Sequence, residues 1–442
     1  MSSEGGLGGT RLSKELVEAG LQEAFPGQPL HLQAVQTEQI GVGKGFLSKI
    51  LRLELTWGEG VEGSVPGQMS SEGGLGGTRL SKELVEAGLQ EAFPGQPLHL
   101  QAVQTEQIGV GKGFLSKILR LELTWGEGVE GSVPGQLVAK VPTPEGLHLM
   151  LANVPEEKRE KLVGFLPQLH NHEVRIFNFF REQPPPFPIP TIYKAVEMDE
   201  EGFGYILMED LTEKAMTIGW EERLSLAQAE AVLDAVAGLH AFGFQRPQLL
   251  GQFEVPEGFL EQFAQIGKAD GFKDLVELKP DYFAGKEDKV PPADWAAWKT
   301  ALAKVRAEVG LPSVLSHGDI HVNNILFSKE DKERLVALID WQLLGVDTPL
   351  GDLTRILSCL STKDRRENLQ RLLARYHHHL QPFAPAQFTL EKLKEAWKVM
   401  WPVQVAVMAN MMAPIIKSPA YADKPGLIQN VFDMLRDMIE EI

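Results

Sequence analysis

Residues 1–68 recur without a single change as residues 69–136, the initial Met included. This exact two-fold repeat constrains the fold more than any other feature, because repeats that stack into solenoids diverge and need at least three copies to bury a core. No third copy follows, so the pattern is that of a very recent duplication or of an artefact of splicing or assembly. Only the second copy runs directly into Leu137-Val-Ala-Lys140, and a short connection closes at lower entropic cost than one lengthened by a whole copy. The fold is therefore read from Met69 onward, with 1–68 expected to be a duplicate that is not integral to the domain.

With 442 residues, 43% apolar and 23% charged, the chain has the composition of a globular protein of two or more lobes. Its formal charge of −17 repels phosphodiester backbones and anionic bilayers, and no basic stripe offsets it, so nucleic acid is not an expected partner. The single cysteine, Cys359, excludes an intramolecular disulfide and a cysteine-based zinc site. The amino terminus lacks a basic and an apolar region of the signal-peptide kind, and a cytoplasmic setting is expected. Val399 to Ile416 carries no charge, but Pro402, Gln404, Asn410 and Pro414 interrupt it, which predicts a buried helix rather than a membrane span.

From Leu80 to Phe93 the apolar spacing is helical, closed by Pro94-Gly95. Strand-like runs follow at His99–Ile108, Leu115–Trp125 and Leu137–Val141, then helical residues from about Glu156 to Arg181. A proline linker, Pro184 to Pro188, leads to strands at Thr191–Met198 and Gly204–Glu209. From Glu221 onward the pattern is mostly helical, with one hairpin between Asn324 and Asp340. The expectation is an α+β fold with a small antiparallel β-rich N-lobe over 69–211 and a larger α-helical C-lobe over 212–442.

The densest polar cluster is His317-Gly-Asp319-Ile-His321-Val-Asn323-Asn324, framed by apolar residues. A tight loop aims Asp319 and Asn324 into one cleft, and the following hairpin delivers Asp340 beside Asn324. That supplies a base, Asp319, and two oxygen ligands for Mg²⁺, Asn324 and Asp340; this cation takes few protein oxygens and completes its shell with water and phosphates. Asp319-Ile-His321 also matches the start of many two-metal phosphoesterases, but no Gly-Asn-His segment follows, and His377-His-His379 lies in a helical stretch.

Strand alternation sets Lys140 on one face of a mostly apolar strand, and Glu173 falls inside the apolar stripe Leu169, Ile176, Phe177, Phe180 of the next helix. Pairing Glu173 with Lys140 relieves both buried charges and holds an ammonium for phosphate. Gly109, Gly111 and Gly113 let the backbone between the first two strands approach a phosphate, with Ser116 as a further donor. His240 and Asp352 are read as scaffold groups, one on an inward helical stripe and one near a helix start.

Taken together these residues resemble the kinase-like small-molecule phosphotransferases, most closely the choline-kinase-like group that includes the ecdysteroid-kinase-like proteins. The motifs are His317-Gly-Asp319 with Asn324, Ile339-Asp340-Trp-Gln342, Pro349-Leu-Gly-Asp352-Leu353 and Leu239-His240-Ala241. The resemblance implies a two-lobed protein-kinase-like fold, Asp319 as catalytic base, Asn324 and Asp340 as Mg²⁺ ligands, and Lys140 with Glu173 as the phosphate-positioning pair. It also implies that Glu209-Asp210-Leu211 is the hinge whose backbone holds adenine. Trp341 stands where this subgroup usually has Phe and His321 where many members have Trp, variants that resemble the wider aminoglycoside-phosphotransferase-like superfamily. The expected function is ATP-dependent transfer of the γ-phosphate to a hydroxyl of a small molecule. The alternative is a nucleotide- or ligand-binding pseudokinase without turnover. A protein kinase is disfavoured because no Ala-Pro-Glu segment follows Asp340.

Overall fold

The computed structural model of the chain describes residues 32–39, 51–57, 74–109, 115–129, 133–152, 154–219, 221–264, 294–416 and 425–441, with positions 277, 280 and 285. The chain divides into two compact units, Met1–Arg79 and Leu80–Ile442. In the first, β1 (Leu32–Gln39) and β2 (Leu51–Trp57) form an antiparallel hairpin with Val35 opposite Leu55.

The second unit opens with α1 (Lys82–Ala92), whose N-terminus is capped by Ser81, its Oγ accepting the Leu84 N–H at 3.3 Å. Val85 and Leu89 bury the apolar stripe. Next come β3 (Leu100–Ile108), β4 (Ser116–Trp125) and β5 (Gln136–Pro142). In this copy Val103 faces Leu123, the register of the first hairpin repeated. Helix α2 (Leu166–Glu182) follows, then β6 (Ile192–Val196) and β7 (Tyr205–Glu209). All four pairings in the five-stranded sheet β3-β4-β5-β7-β6 are antiparallel. Lys140 stands opposite Ile206 near the sheet's centre.

The helical residues expected from about Glu156 to Arg181 form two helices, Glu156–Val163 and then α2, because Gly164 closes the first, its N–H bonding the Glu160 carbonyl at 2.9 Å. Pro167 then sits in the first turn of α2, where its missing N–H costs nothing.

The larger lobe contains β8 (Ala215–Thr217), α3 (Leu226–Phe244), β9 (Val314–Ser316), β10 (Ile325–Ser328), β11 (Leu335–Leu338) and β12 (Gly345–Asp347). Its helices include α4 (Leu350–Ser358), α5 (Thr362–Leu380), α6 (Leu390–Ile416) and α7 (Pro425–Glu441). The predicted hairpin is β10–β11; β8 adds to its edge, and β9 pairs with β12. The α+β class, a small antiparallel lobe beside a larger helical one, is as the sequence predicts.

A continuous core joins the lobes through Phe177 and Phe180 of α2, Trp341, Leu353 of α4, Tyr376 of α5 and Trp401 of α6. The segment Val399–Ile416 is the C-terminal part of α6, with Trp401, Val405 and Ala409 buried in that core. Among the described residues no helix is long and apolar enough to cross a membrane.

Candidate active site

The alternation of β5 carries Lys140 into the interior, 7% exposed, where Glu173 of α2 meets it. Lys140 Nζ lies 2.7 Å from Glu173 Oε2 and 2.8 Å from Asp340 Oδ1. Burial alone would lower the ammonium's pKa, but Asp340 and Glu173 outweigh it and hold the group charged. Glu173 Oε1 also accepts the Trp341 N–H at 3.1 Å, so one carboxylate positions both the lysine and the backbone just after Asp340. Asp340 has φ +67°, in the left-handed region that non-glycine residues rarely enter.

Asp319 and Asn324 sit on the loop between β9 and β10. Asn324 Nδ2 donates to the Asp319 carbonyl at 2.9 Å and faces Asp319 Oδ2 at 3.4 Å. This turns Asn324 Oδ1 the other way, and the Ile339 N–H donates to the Asn324 carbonyl at 3.0 Å, which brings Asp340 alongside. Arg355 Nη1 of α4 lies 3.4 Å from Asp319 Oδ1, and His321 Nε2 3.7 Å from Oδ2. Burial would raise the Asp319 carboxyl, yet His321, Arg355 and His317 together hold it well below the usual carboxylate range. It is a carboxylate at neutral pH.

Beneath this loop lies Asp352, fully buried. Its Oδ2 accepts the His317 N–H at 2.9 Å and its Oδ1 the Gly318 N–H at 3.1 Å. His240 Nε2 lies 3.1 Å from Asp352 Oδ2, and His240 Nδ1 is 2.6 Å from the Tyr376 hydroxyl. Gly318 has φ +78°, and a Cβ there would run into the Leu343 carbonyl oxygen. His240 and Asp352 thus hold the backbone of the loop and do not face the cleft.

Of the predicted nucleotide residues, Gly111 and Gly113 lie outside the described residues. Ser116 begins β4 opposite Pro142. Glu209 Oε2 accepts the Thr191 hydroxyl at 3.1 Å. The Asp210 carboxylate is turned into packing, taking Arg120 Nε at 2.9 Å and the Thr212 N–H at 2.8 Å, and Leu211 is buried.

Next to Asp319 and His321 opens a cavity of about 320 Å³ with a mostly apolar lining that includes Phe259, Trp298, Met408, Met411 and Met412. Met400 of the same helix is buried in the core. Two lining residues, Arg355 and Arg223, have no counterpart in the sequence reading. Arg355 follows Asp352 by three on an amphipathic helix, a spacing that sets both on one face.

The fold is α+β, a small antiparallel sheet beside a larger helical lobe. The chain belongs to the DUF1679 family, whose model carries the description "Uncharacterized oxidoreductase dhs-27" and matches residues 69–442. A relative from Caenorhabditis elegans, the uncharacterized kinase-like protein D1044.1, is 27% identical over 219 residues, 48% of this chain and 57% of that protein; the chain thus spans little more than half of its length. Among solved structures, a microcompartment-associated aminopropanol kinase is 12% identical, with 79% of this chain and 94% of that chain covered and a TM-score of 0.41. Aminoglycoside phosphotransferase APH(3'')-Id of Streptomyces rimosus, solved with ADP and streptomycin, is 16% identical, with 68% and 92% covered and a TM-score of 0.35.

Proposed function

We propose that the protein is an ATP- and Mg²⁺-dependent phosphotransferase that phosphorylates a hydroxyl group of a lipophilic small molecule. The observation that carries this reading is the convergence of Lys140, Glu173 and Asp340 across the two lobes beside Asp319 and Asn324. The donor set suits Mg²⁺: Asp340 and the outward Oδ1 of Asn324 supply two hard oxygens, and nucleotide phosphates would supply others. Bound there, the metal would neutralise charge on the β- and γ-phosphates.

Lys140 holds an ammonium toward the same phosphates, fixed by Glu173 so that it need not reorganise during transfer. Asp319 orients the acceptor hydroxyl and takes its proton, and Arg355 and His321 keep it ionised for that task. The hinge segment at Glu209-Asp210-Leu211 would hold adenine through its backbone, with Ser116 on the phosphate side. The apolar cavity beside Asp319 favours a lipophilic acceptor such as a steroid, since its methionines and aromatics adapt to apolar shapes.

A hydride-transfer reading, which the family description suggests, calls for a parallel strand-helix-strand unit with a glycine-rich turn. Among the described residues every sheet is built from antiparallel pairs.

The test is a screen of hydroxylated lipophiles, sterols included, beside choline and aminoglycosides, scored for ATP-dependent phosphorylation. Turnover of lipophilic alcohols is expected. Efficient phosphorylation of choline or aminoglycosides with none of any lipophile would reject the acceptor class, and tight ATP binding without transfer to any acceptor would favour the pseudokinase.

A further inference from the structure

Arg223, just ahead of α3, lines the cavity that holds Asp319. Its Nη1 donates to the Ser358 carbonyl at 3.2 Å and its Nη2 to the Asn430 carbonyl at 3.2 Å. Among the described residues no carboxylate lies within the 4.0 Å of an ion pair with it. Several other guanidiniums of this lobe do meet carboxylates: Arg375 takes Asp234 and Glu230, Arg366 takes Glu440, and Arg355 faces Asp319. Burial weighs against the charge of Arg223 more than Cys359 and Asp433 nearby favour it.

A guanidinium has five N–H donors, and two carbonyls occupy two of them. A largely desolvated cation beside an apolar cavity is costly unless an anion meets it. The cavity's own carboxylates are engaged elsewhere. Asp319 faces Arg355 and His321, the Glu222 carboxylate takes the Gly219 N–H at 3.2 Å, and Asp347 takes the Thr348 N–H at 2.6 Å.

We infer that Arg223 anchors a carboxylate of the acceptor, so that the cavity takes an amphipathic hydroxy acid with its hydroxyl at Asp319 and its apolar body against Phe259, Trp298 and Met411. The hydroxyl half of this statement rests on the phosphotransferase reading; the carboxylate half does not. A free anion held by a guanidinium in a desolvated pocket makes charge-assisted hydrogen bonds that a neutral amide of equal size cannot replace.

The test compares matched probes, 12-hydroxydodecanoate and cholate against their primary amides, with the full chain. Calorimetry without nucleotide should show each acid binding about tenfold or more tightly than its amide, and with Mg·ATP the acid should show the lower KM by a similar factor. Arg223→Gln should erase the acid–amide difference, and Arg223→Lys should retain much of it. Acids that bind selectively but are never phosphorylated would sustain the anchor and sink the phosphotransferase reading. Equal affinity for acid and amide in the wild type would overturn the inference even if Arg223→Gln fails to fold. So would a preference that survives Arg223→Gln, or a loss of kcat equal for both probes, which would assign Arg223 to the transferred phosphoryl group.

Discussion

Lys140 and Asp340 stand 200 residues apart in sequence and 2.8 Å apart in space, Nζ to Oδ1. One comes from the central strand of the small lobe and the other from the end of a hairpin in the large lobe, so this ion pair ties the two together at the cleft. Replacing Lys140 with Met would leave Glu173 and Asp340 facing each other without the cation between them. Breaking a buried pair in this way costs about 3 to 5 kcal/mol. Denaturant unfolding should report a loss of that size, and nucleotide titration should show binding abolished. A Lys140→Met protein of unchanged stability and ATP affinity would remove the pair from both roles.

The loop that presents Asp319 hangs on Asp352. Asp352→Ala would strand the buried His317 N–H, the buried ring of His240 and the half-buried Gly318 N–H, and should cost roughly 3 kcal/mol by the unsatisfied-donor argument. Gly318→Ala should be similarly harmful, because its positive φ and the Leu343 carbonyl leave no room for a methyl group. In both variants turnover should fall further than Mg·ATP affinity, since the loop carries Asp319, the proposed base, while Lys140 is held from the other lobe.

His170 supplies the pH dependence. Its Nε2 lies 2.9 Å from the Val196 carbonyl in a buried site, and burial, more than the opposing hydrogen bond, lowers its pKa to about 4. Above the ordinary histidine value near 6.5 both folded and unfolded forms are neutral, and the shift has no effect on stability. As pH falls from there to about 4 the unfolded chain gains a proton that the native state refuses, so native stability drops through that window. The loss should be on the order of 2 to 3 kcal/mol. His170→Gln should flatten the stability profile between these values, and an unaltered acid limb would show that other groups set it.

The duplicate segment can be tested by deletion. A chain beginning at Met69 keeps every strand of the five-stranded sheet, whereas β1–β2 is a two-stranded hairpin of a kind that is marginal alone and exposes edges. The shortened chain should be at least as stable and active as the full one, and less prone to aggregate in light scattering. Loss of folding or turnover on removal of 1–68 would make the first copy integral.

Much of this was legible in the sequence because the signals are local. The alternation around Lys140 and the helical spacing of Glu173 each place one side chain, and together they predict the pair. Strands β9 and β12, three residues each, are too short to carry an alternation and were missed, as was the break at Gly164 within an otherwise helical run. The second partner of Lys140, Asp340, needed the closure of two lobes, which no local pattern encodes. Arg223 was invisible for the same reason: its neighbours Ser358 and Asn430 come from distant helices, and its contacts are to backbone, which every residue type provides.

The central claim is that Asp319 is the base of a phosphotransfer centre, and Asp319→Asn tests it most directly. The substitution keeps size and hydrogen-bonding shape while removing the proton acceptor. Once an acceptor is known, steady-state turnover measured beside Mg·ATP binding should show kcat lower by about two orders of magnitude or more, with the nucleotide bound as in the wild type. Turnover unchanged in that variant would contradict the account.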